Sequence, residues 1–183
     1  MASLIWHRLR SLATVLFLTL ILTLNGQTIA LAATAQAILQ GTTDPSTVAG
    51  VVNFKDTDDG LEIEATLTQA PDGTHGFHIH EFGSCTEAGN GAGGHYNPEG
   101  VKHGLLIENG FADAHAGDLG NLEVQSGQAT YRATLPGLTL NSGKHPIAGR
   151  AVILHEKPDD FGQPVGNAGS RVGCGTIALS KSA

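Results

Sequence analysis

Nine histidines stand in a chain of 183 residues that carries one methionine and one tryptophan, and six of the nine fall into a pattern suited to binding metal. His78-Ile79-His80 is an H-x-H pair inside a strand-like segment. In a strand, residues i and i+2 project from the same face, so two imidazoles sit side by side as a chelating pair requires. His95 lies in Gly93-Gly94-His95-Tyr96-Asn97-Pro98, and His103 comes eight residues later. His115-Ala116-Gly117-Asp118 supplies an imidazole and a carboxylate three positions apart, and His155 closes a strand-like segment much further along. Imidazole suits zinc and copper, and a carboxylate completes a zinc set. A lone histidine is usually a hydrogen-bonded structural residue; six of them with an aspartate and adjoining loops favour metal chemistry. His75 and His145 have no such company and read as structural, and His7 belongs to the segment that precedes the fold.

Such ligands need a rigid frame, and the chain between them reads as short strands. Leu61–Thr68 alternates apolar and polar residues without a fault, which marks a half-buried antiparallel strand. Val48–Lys55 precedes it across Asp56-Thr57-Asp58-Asp59-Gly60, whose Asp-Gly ending is a hairpin signal. That acidic link resembles a calcium loop only faintly, lacks the downstream ligands, and reads as a solvated turn. Ala35–Gln40, Gly76–Phe82, Ala129–Leu135, Arg150–His155 and Val172–Leu179 are further strand-like segments, with Pro71-Asp72-Gly73 as a turn. Beyond the first segment no helical apolar period is sustained over three turns, and no internal repeat of about 20–50 residues appears. Roughly eight short strands separated by turn signals indicate an all-β sandwich or barrel. Gly83–Gly104 and Glu156–Ser170 are long glycine-rich loops, and loops of that length in a compact domain are usually functional.

The first segment has a different character. Residues 1–10 carry Arg8 and Arg10 without an acid, Leu12–Leu24 is an apolar run uninterrupted by any charge, and small residues follow with A-x-A sites at Ala32 and Ala37. This is the layout of a secretory signal peptide. An apolar run of this length makes a helix of about 20 Å, short of a hydrocarbon core, so no stable membrane span is expected after its removal. The expected division is a leader over 1–32, cut near Ala32/Ala33 with Ala37 as the alternative site, and one domain over 33–183. An exported destination follows: periplasm, exterior or a lumen. Cys85 and Cys174 are the only cysteines, and in an oxidising compartment such a pair reads as one disulfide. Without the leader, 8 basic residues face 17 acidic ones, a net charge of −9. No basic footprint for a phosphate backbone exists, so nucleic acid is not an expected partner.

Gly76-Phe77-His78-Ile79-His80-Glu81-Phe82-Gly83 resembles the signature of the copper/zinc superoxide dismutases. Gly117-Asp118-Leu119-Gly120-Asn121, His155-Glu156-Lys157, Gly166-Asn167-Ala168-Gly169-Ser170-Arg171 and Cys174-Gly175 resemble the family's remaining motifs, in family order from about Ala35 to Leu179. The resemblance implies an eight-stranded antiparallel Greek-key barrel with two long functional loops. It implies one copper per subunit on His78, His80, His95 and His155, and one zinc on His95, His103, His115 and Asp118, with His95 bridging the two. Asp159 matches a carboxylate that links His78 and His103, Arg171 would lie beside the open copper position, and Cys85–Cys174 would tie the ligand-bearing loop to the last strand. The implied reaction turns superoxide into oxygen and hydrogen peroxide at copper, with His95 and Arg171 as catalytic residues. The implied partner is this small anion, with a homodimer as the candidate assembly.

The run from His155 to Arg171 is short and lacks the Glu/Lys-rich insert of eukaryotic cytosolic relatives, which points to a bacterial-like exported form. A mature charge of −9 repels superoxide at long range, so attraction must come from local focusing by Arg171 and Lys157, with Lys102 and Lys144 as rim candidates. The rival reading is a non-catalytic copper/zinc carrier on the same fold. Such a protein is expected to lose a copper ligand or the arginine, and here all are present. A zinc hydrolase is weaker still, because no carboxylate base stands beside an open zinc position.

Overall fold

The computed structural model describes residues 32–181; the expected leader lies outside them except for Ala32. The alternating segment forms β3 (Gly60–Gln69), with Leu61, Ile63, Ala65 and Leu67 buried and Glu62, Thr66 and Thr68 exposed. It pairs with β2 (Ala49–Thr57) through a turn of only Asp58-Asp59, tighter than the acidic link suggests, because Asp56 and Thr57 continue the ladder. Gly60 takes φ +130°, a region that favours glycine, and a Cβ there would press on the Leu135 carbonyl. The Asp56 carboxylate accepts the Leu140 N–H at 2.9 Å, so it fastens the next chain segment.

The other strands are β1 (Thr34–Gly41), β4 (Gly73–His80), β5 (Asp118–Val124) and β6 (Ala129–Leu135). They continue with β7 (Leu138–Thr139), β8 (His145–Pro146), β9 (Ala151–His155), β10 (Arg171–Thr176) and β11 (Ala178–Leu179). Eight of them lie in the order β5-β4-β9-β10-β1-β2-β3-β6, every pair antiparallel, while β11 pairs with β1. The Tyr131 hydroxyl on β6 donates to the Leu119 carbonyl on β5 at 3.1 Å and so bridges the two ends. The fold is therefore the expected all-β, eight-stranded, nearly closed barrel. Its interior holds Leu39, Phe54, Leu61, Ile63, Phe77, Ile79 and their neighbours, each fully buried large side chain stabilising by roughly 1.5–3 kcal/mol.

Three departures from the sequence reading have physical causes. β4 starts earlier and stops at His80, because the N–H groups of Glu81 and Phe82 turn to carbonyls of Gly94 and Ala92 in the first loop. The last strand-like run breaks at Ile177 into β10 and β11. β5 escapes the alternation test since it is buried on both faces from Asp118 to Gly120. The first irregular stretch accordingly runs over 81–117, with a 3₁₀ turn at Asn90–Ala92 and one helical turn, α1 (Leu106–Asn109). Cys85 in this loop is bonded to Cys174 in β10 across 89 positions, as expected. Closing a loop of that length stabilises the fold by about 4–5 kcal/mol on the chain-entropy estimate.

Candidate metal centre

His78 and His80 come from β4, which lies against β9 with His78 opposite Ile153 and His80 opposite Ala151. β9 is buried along its whole length and ends at His155, whose Nε2 stands 3.3 Å from Nε2 of His80. His95 reaches the same place by bridging to His80 as an isolated β-pair. On its other side β4 pairs with β5, and that register sets His78 opposite Asp118. The turn before β5 is closed by its own side chain: the His115 N–H donates to Oδ2 of Asp118 at 2.9 Å. His103 is delivered by the first loop to the same carboxylate.

Two ligand sets result. One ligand atom from each of His78, His80, His95 and His155 lies within 4.8 Å of the others, and the same holds for His95, His103, His115 and Asp118. His95 belongs to both. All seven residues are buried. Among the described residues, Nδ1 of His78, His103 and His115 meet no hydrogen-bond partner, although those of His103 and His115 stand 2.9 and 3.1 Å from the Asp118 carboxylate. Buried nitrogens are normally satisfied. Three left unpaired within these two sets, two of them beside one carboxylate, fit the donor set of bound cations. The soft-to-borderline nitrogens of the four-histidine set suit copper, and three imidazoles with one carboxylate suit zinc.

The outward faces of these ligands are held. Asp159 accepts from Nε2 of His78 at 2.7 Å and from Nε2 of His103 at 2.9 Å. Nδ1 of His80 donates to the Gly93 carbonyl and Nδ1 of His155 to that of Gly169. Burial, reinforced by neighbouring imidazoles, pushes His80 down to about 2 and His155 down to about 3. Burial likewise lowers His95 to about 4 despite Asp118 beside it. These three are neutral imidazoles near neutral pH, the form in which nitrogen ligates metal. Burial opposes protonation of His103 too, but the Asp118 and Asp159 carboxylates outweigh it and raise the ring to about 9. Burial acts against ionised Asp118, yet the imidazoles of His103, His115 and His95 and the Gly104 amide hold it well below the usual carboxylate range.

Arg171, first residue of β10, donates Nη1 to the Gly89 carbonyl at 2.5 Å and Nη2 to the Gly93 carbonyl at 2.6 Å. It lines a cleft of about 800 Å³ together with His80, His95 and His155. Lys157 packs against Gly169, which lines that cleft, while its neighbour Glu156 lines the cleft itself. Lys102 and Lys144 are engaged elsewhere, by Asp113 at 3.1 Å and Glu99 at 3.0 Å. His75 and His145 stand apart from both sets: His75 contacts the carbonyls of His155 and Pro71, and His145 stacks on Phe111 and meets Glu99.

Two supporting residues escaped the sequence reading. Asn121 on β5 grips the backbone of Asp159 from both sides, accepting its N–H at 2.7 Å and donating to its carbonyl at 2.9 Å. Gln163 grips His103 in the same way, at 3.1 and 2.8 Å. Asn121 lies inside a recognisable motif, but neither partner is near in sequence, so nothing local announces the contact.

Residues 48–177 match the family described as copper/zinc superoxide dismutase. Superoxide dismutase [Cu-Zn] A of Xenopus laevis is 41% identical over 153 residues, covering 79% of this chain and 97% of that protein. The extracellular superoxide dismutase [Cu-Zn] of Caenorhabditis elegans is 39% identical over 143 residues, 73% of this chain and 62% of that protein. Among solved structures, that of the clock protein EA4 superposes with a TM-score of 0.71 at 34% identity, covering 84% of this chain and 99% of that one.

Proposed function

The chain belongs to the copper/zinc superoxide dismutase family, and from that premise we propose how its own side chains divide the work and where the protein acts. The reaction converts two superoxide anions and two protons into oxygen and hydrogen peroxide. His78, His80, His95 and His155 would hold copper, which would supply the one-electron couple this needs, and His95, His103, His115 and Asp118 would hold zinc, which has no redox change and would fix the loops.

Arg171 binds and orients the anion. Two of its nitrogens are spent on Gly89 and Gly93, which fixes the planar head while its positive charge still faces the cleft. His95 handles the proton at Nε2, because Asp118 engages Nδ1 at 2.9 Å. Asp159 keeps His78 and His103 turned inward through their Nε2 atoms. One observation carries this reading: a single histidine joins two intact ligand sets in a cleft that also holds a fixed arginine.

We further propose a secreted, bacterial-like form acting in a periplasm or outside the cell. The apolar leader, the bonded cysteines and the short interval between His155 and Arg171 support it. A homodimer is proposed from exposed apolar residues beside the disulfide. Ile38 and Leu179 line one hollow with Thr176, whose hydroxyl donates to the Gly83 carbonyl next to exposed Phe82.

Superoxide consumption by metal-loaded protein is the test, with sedimentation of the same sample reading the dimer. His155→Ala should abolish turnover, and Arg171→Ala should slow it roughly 10- to 100-fold, with Arg171→Lys between. Copper loading without activity, or a His155→Ala protein as fast as the unmodified one, would refute the reading.

A further inference from the structure

We infer that Gln163 is a positioning residue for the zinc ligand His103, acting on its peptide rather than on its ring. The inference rests on the zinc assignment above. His103 has four polar groups. Its N–H donates to Oε1 of Gln163 at 3.1 Å, and its carbonyl accepts from Nε2 of Gln163 at 2.8 Å. Its ring Nε2 donates to Asp159 at 2.9 Å. Among the described residues only Nδ1 is left without a hydrogen-bond partner, and it stands in the zinc set beside Asp118. One short stretch of the second loop, Asp159 to Gln163, therefore fixes every other polar handle of this ligand.

The clasp is itself braced. The Phe161 N–H donates to Oδ1 of Asp159 at 2.8 Å, and Asn121 of β5 holds the Asp159 backbone at both its N–H and its carbonyl. Order thus passes from the barrel through Asn121 to Asp159, and from the second loop through Gln163 to the first. His103 sits in an irregular stretch that no strand pairing restrains, so its backbone would otherwise have to be ordered when the ion binds. Gln163 performs that ordering beforehand, a side-chain amide taking the place of a neighbouring strand. Of the two four-residue ligand sets His103 belongs to the zinc set only, and it reaches the copper ligand His78 only through Asp159, so the consequence falls first on zinc.

Gln163 is exposed, so substitutions there do not touch the core. Gln163→Met keeps the side-chain length and removes both bonds; Gln163→Glu keeps an acceptor for the His103 N–H and loses the donor. Mature protein loaded with both metals is challenged with a zinc chelator, and cobalt(II) placed in the zinc site reports ligand geometry through its visible absorption. We expect Gln163→Met to retain zinc about tenfold less tightly and to shift the cobalt bands. Gln163→Glu should lie between, with copper retention unchanged in both. Zinc retention and cobalt bands matching the unmodified protein in Gln163→Met would overturn the inference. So would parallel loss of zinc and copper with a lowered melting temperature, the mark of a merely structural role. Failure of the unmodified protein to take up zinc would overturn the zinc assignment as well.

Discussion

A methyl group at Gly166 would collide with the Asp159 carboxylate and come within 2.7 Å of Nε2 of His103. That glycine also has φ +74°, where a side chain costs roughly 1–3 kcal/mol. Gly166→Ala is therefore expected to push Asp159 off its two imidazoles. Loss of an outer partner typically costs 10- to 100-fold in metal affinity, so zinc should leave about that much more readily in a chelator competition. Unaltered zinc retention would mean that Asp159 is not the support it resembles. At this scale the sequence was legible where chemistry dictates residue type. An H-x-H pair, a His with an Asp three positions on and an isolated strand-ending His can be found by spacing. Asn121, Gln163 and the close approach at Gly166 could not, because each acts through a partner that only the folded chain brings near.

Strands with one wet face were equally legible. β3 and β6 keep strict alternation and fall almost where the pattern puts them. β5 did not, since both its faces are buried from Asp118 to Gly120 and alternation starts only beyond them. β1 shows how an element bears on processing. Thr34 to Ala37 pair with Lys55 to Val52 of β2, Ala35 and Gln36 also pair with Leu179 and Ala178, and Ala35 and Ala37 are buried. A cut after Ala37 would remove that half of the strand, whereas a cut after Ala32 or Ala33 leaves it whole. Sequencing the exported protein should give Ala33 or Thr34 as its first residue. A chain made to begin at Ile38 should melt several degrees lower, because each lost backbone bond is worth about 1 kcal/mol and four residues of ladder disappear. Equal melting of the two forms would remove the argument against the later site.

Charge is a property of the whole molecule, and here it opposes the substrate. The full sequence carries −7, and the proposed chain without its leader, with eight basic residues against 17 acidic ones, carries −9, a field that turns a small anion away at distances beyond the cleft. Within the cleft the sign reverses locally. Arg171 is held at the copper ligands, and Lys157 packs behind the cleft wall against Gly169. The rim lysines contribute little, because Lys102 and Lys144 are already paired with Asp113 and Glu99. Narrow walls of low polarity concentrate the field of such a fixed cation toward the opening. Added salt screens both the distant repulsion and the local attraction, the former over more of its range, since screening lengths are about 8–10 Å at moderate ionic strength. If the local term dominates, the second-order rate should fall with added salt. The fall should be shallower than in relatives with a longer charged insert, whose attraction acts from further out. Initial rates over a series of sodium chloride concentrations measure the slope, and Lys157→Gln should flatten it further. A rate that climbs steadily with ionic strength would show that repulsion by the whole molecule prevails, leaving Arg171 to orient superoxide that arrives without being drawn in.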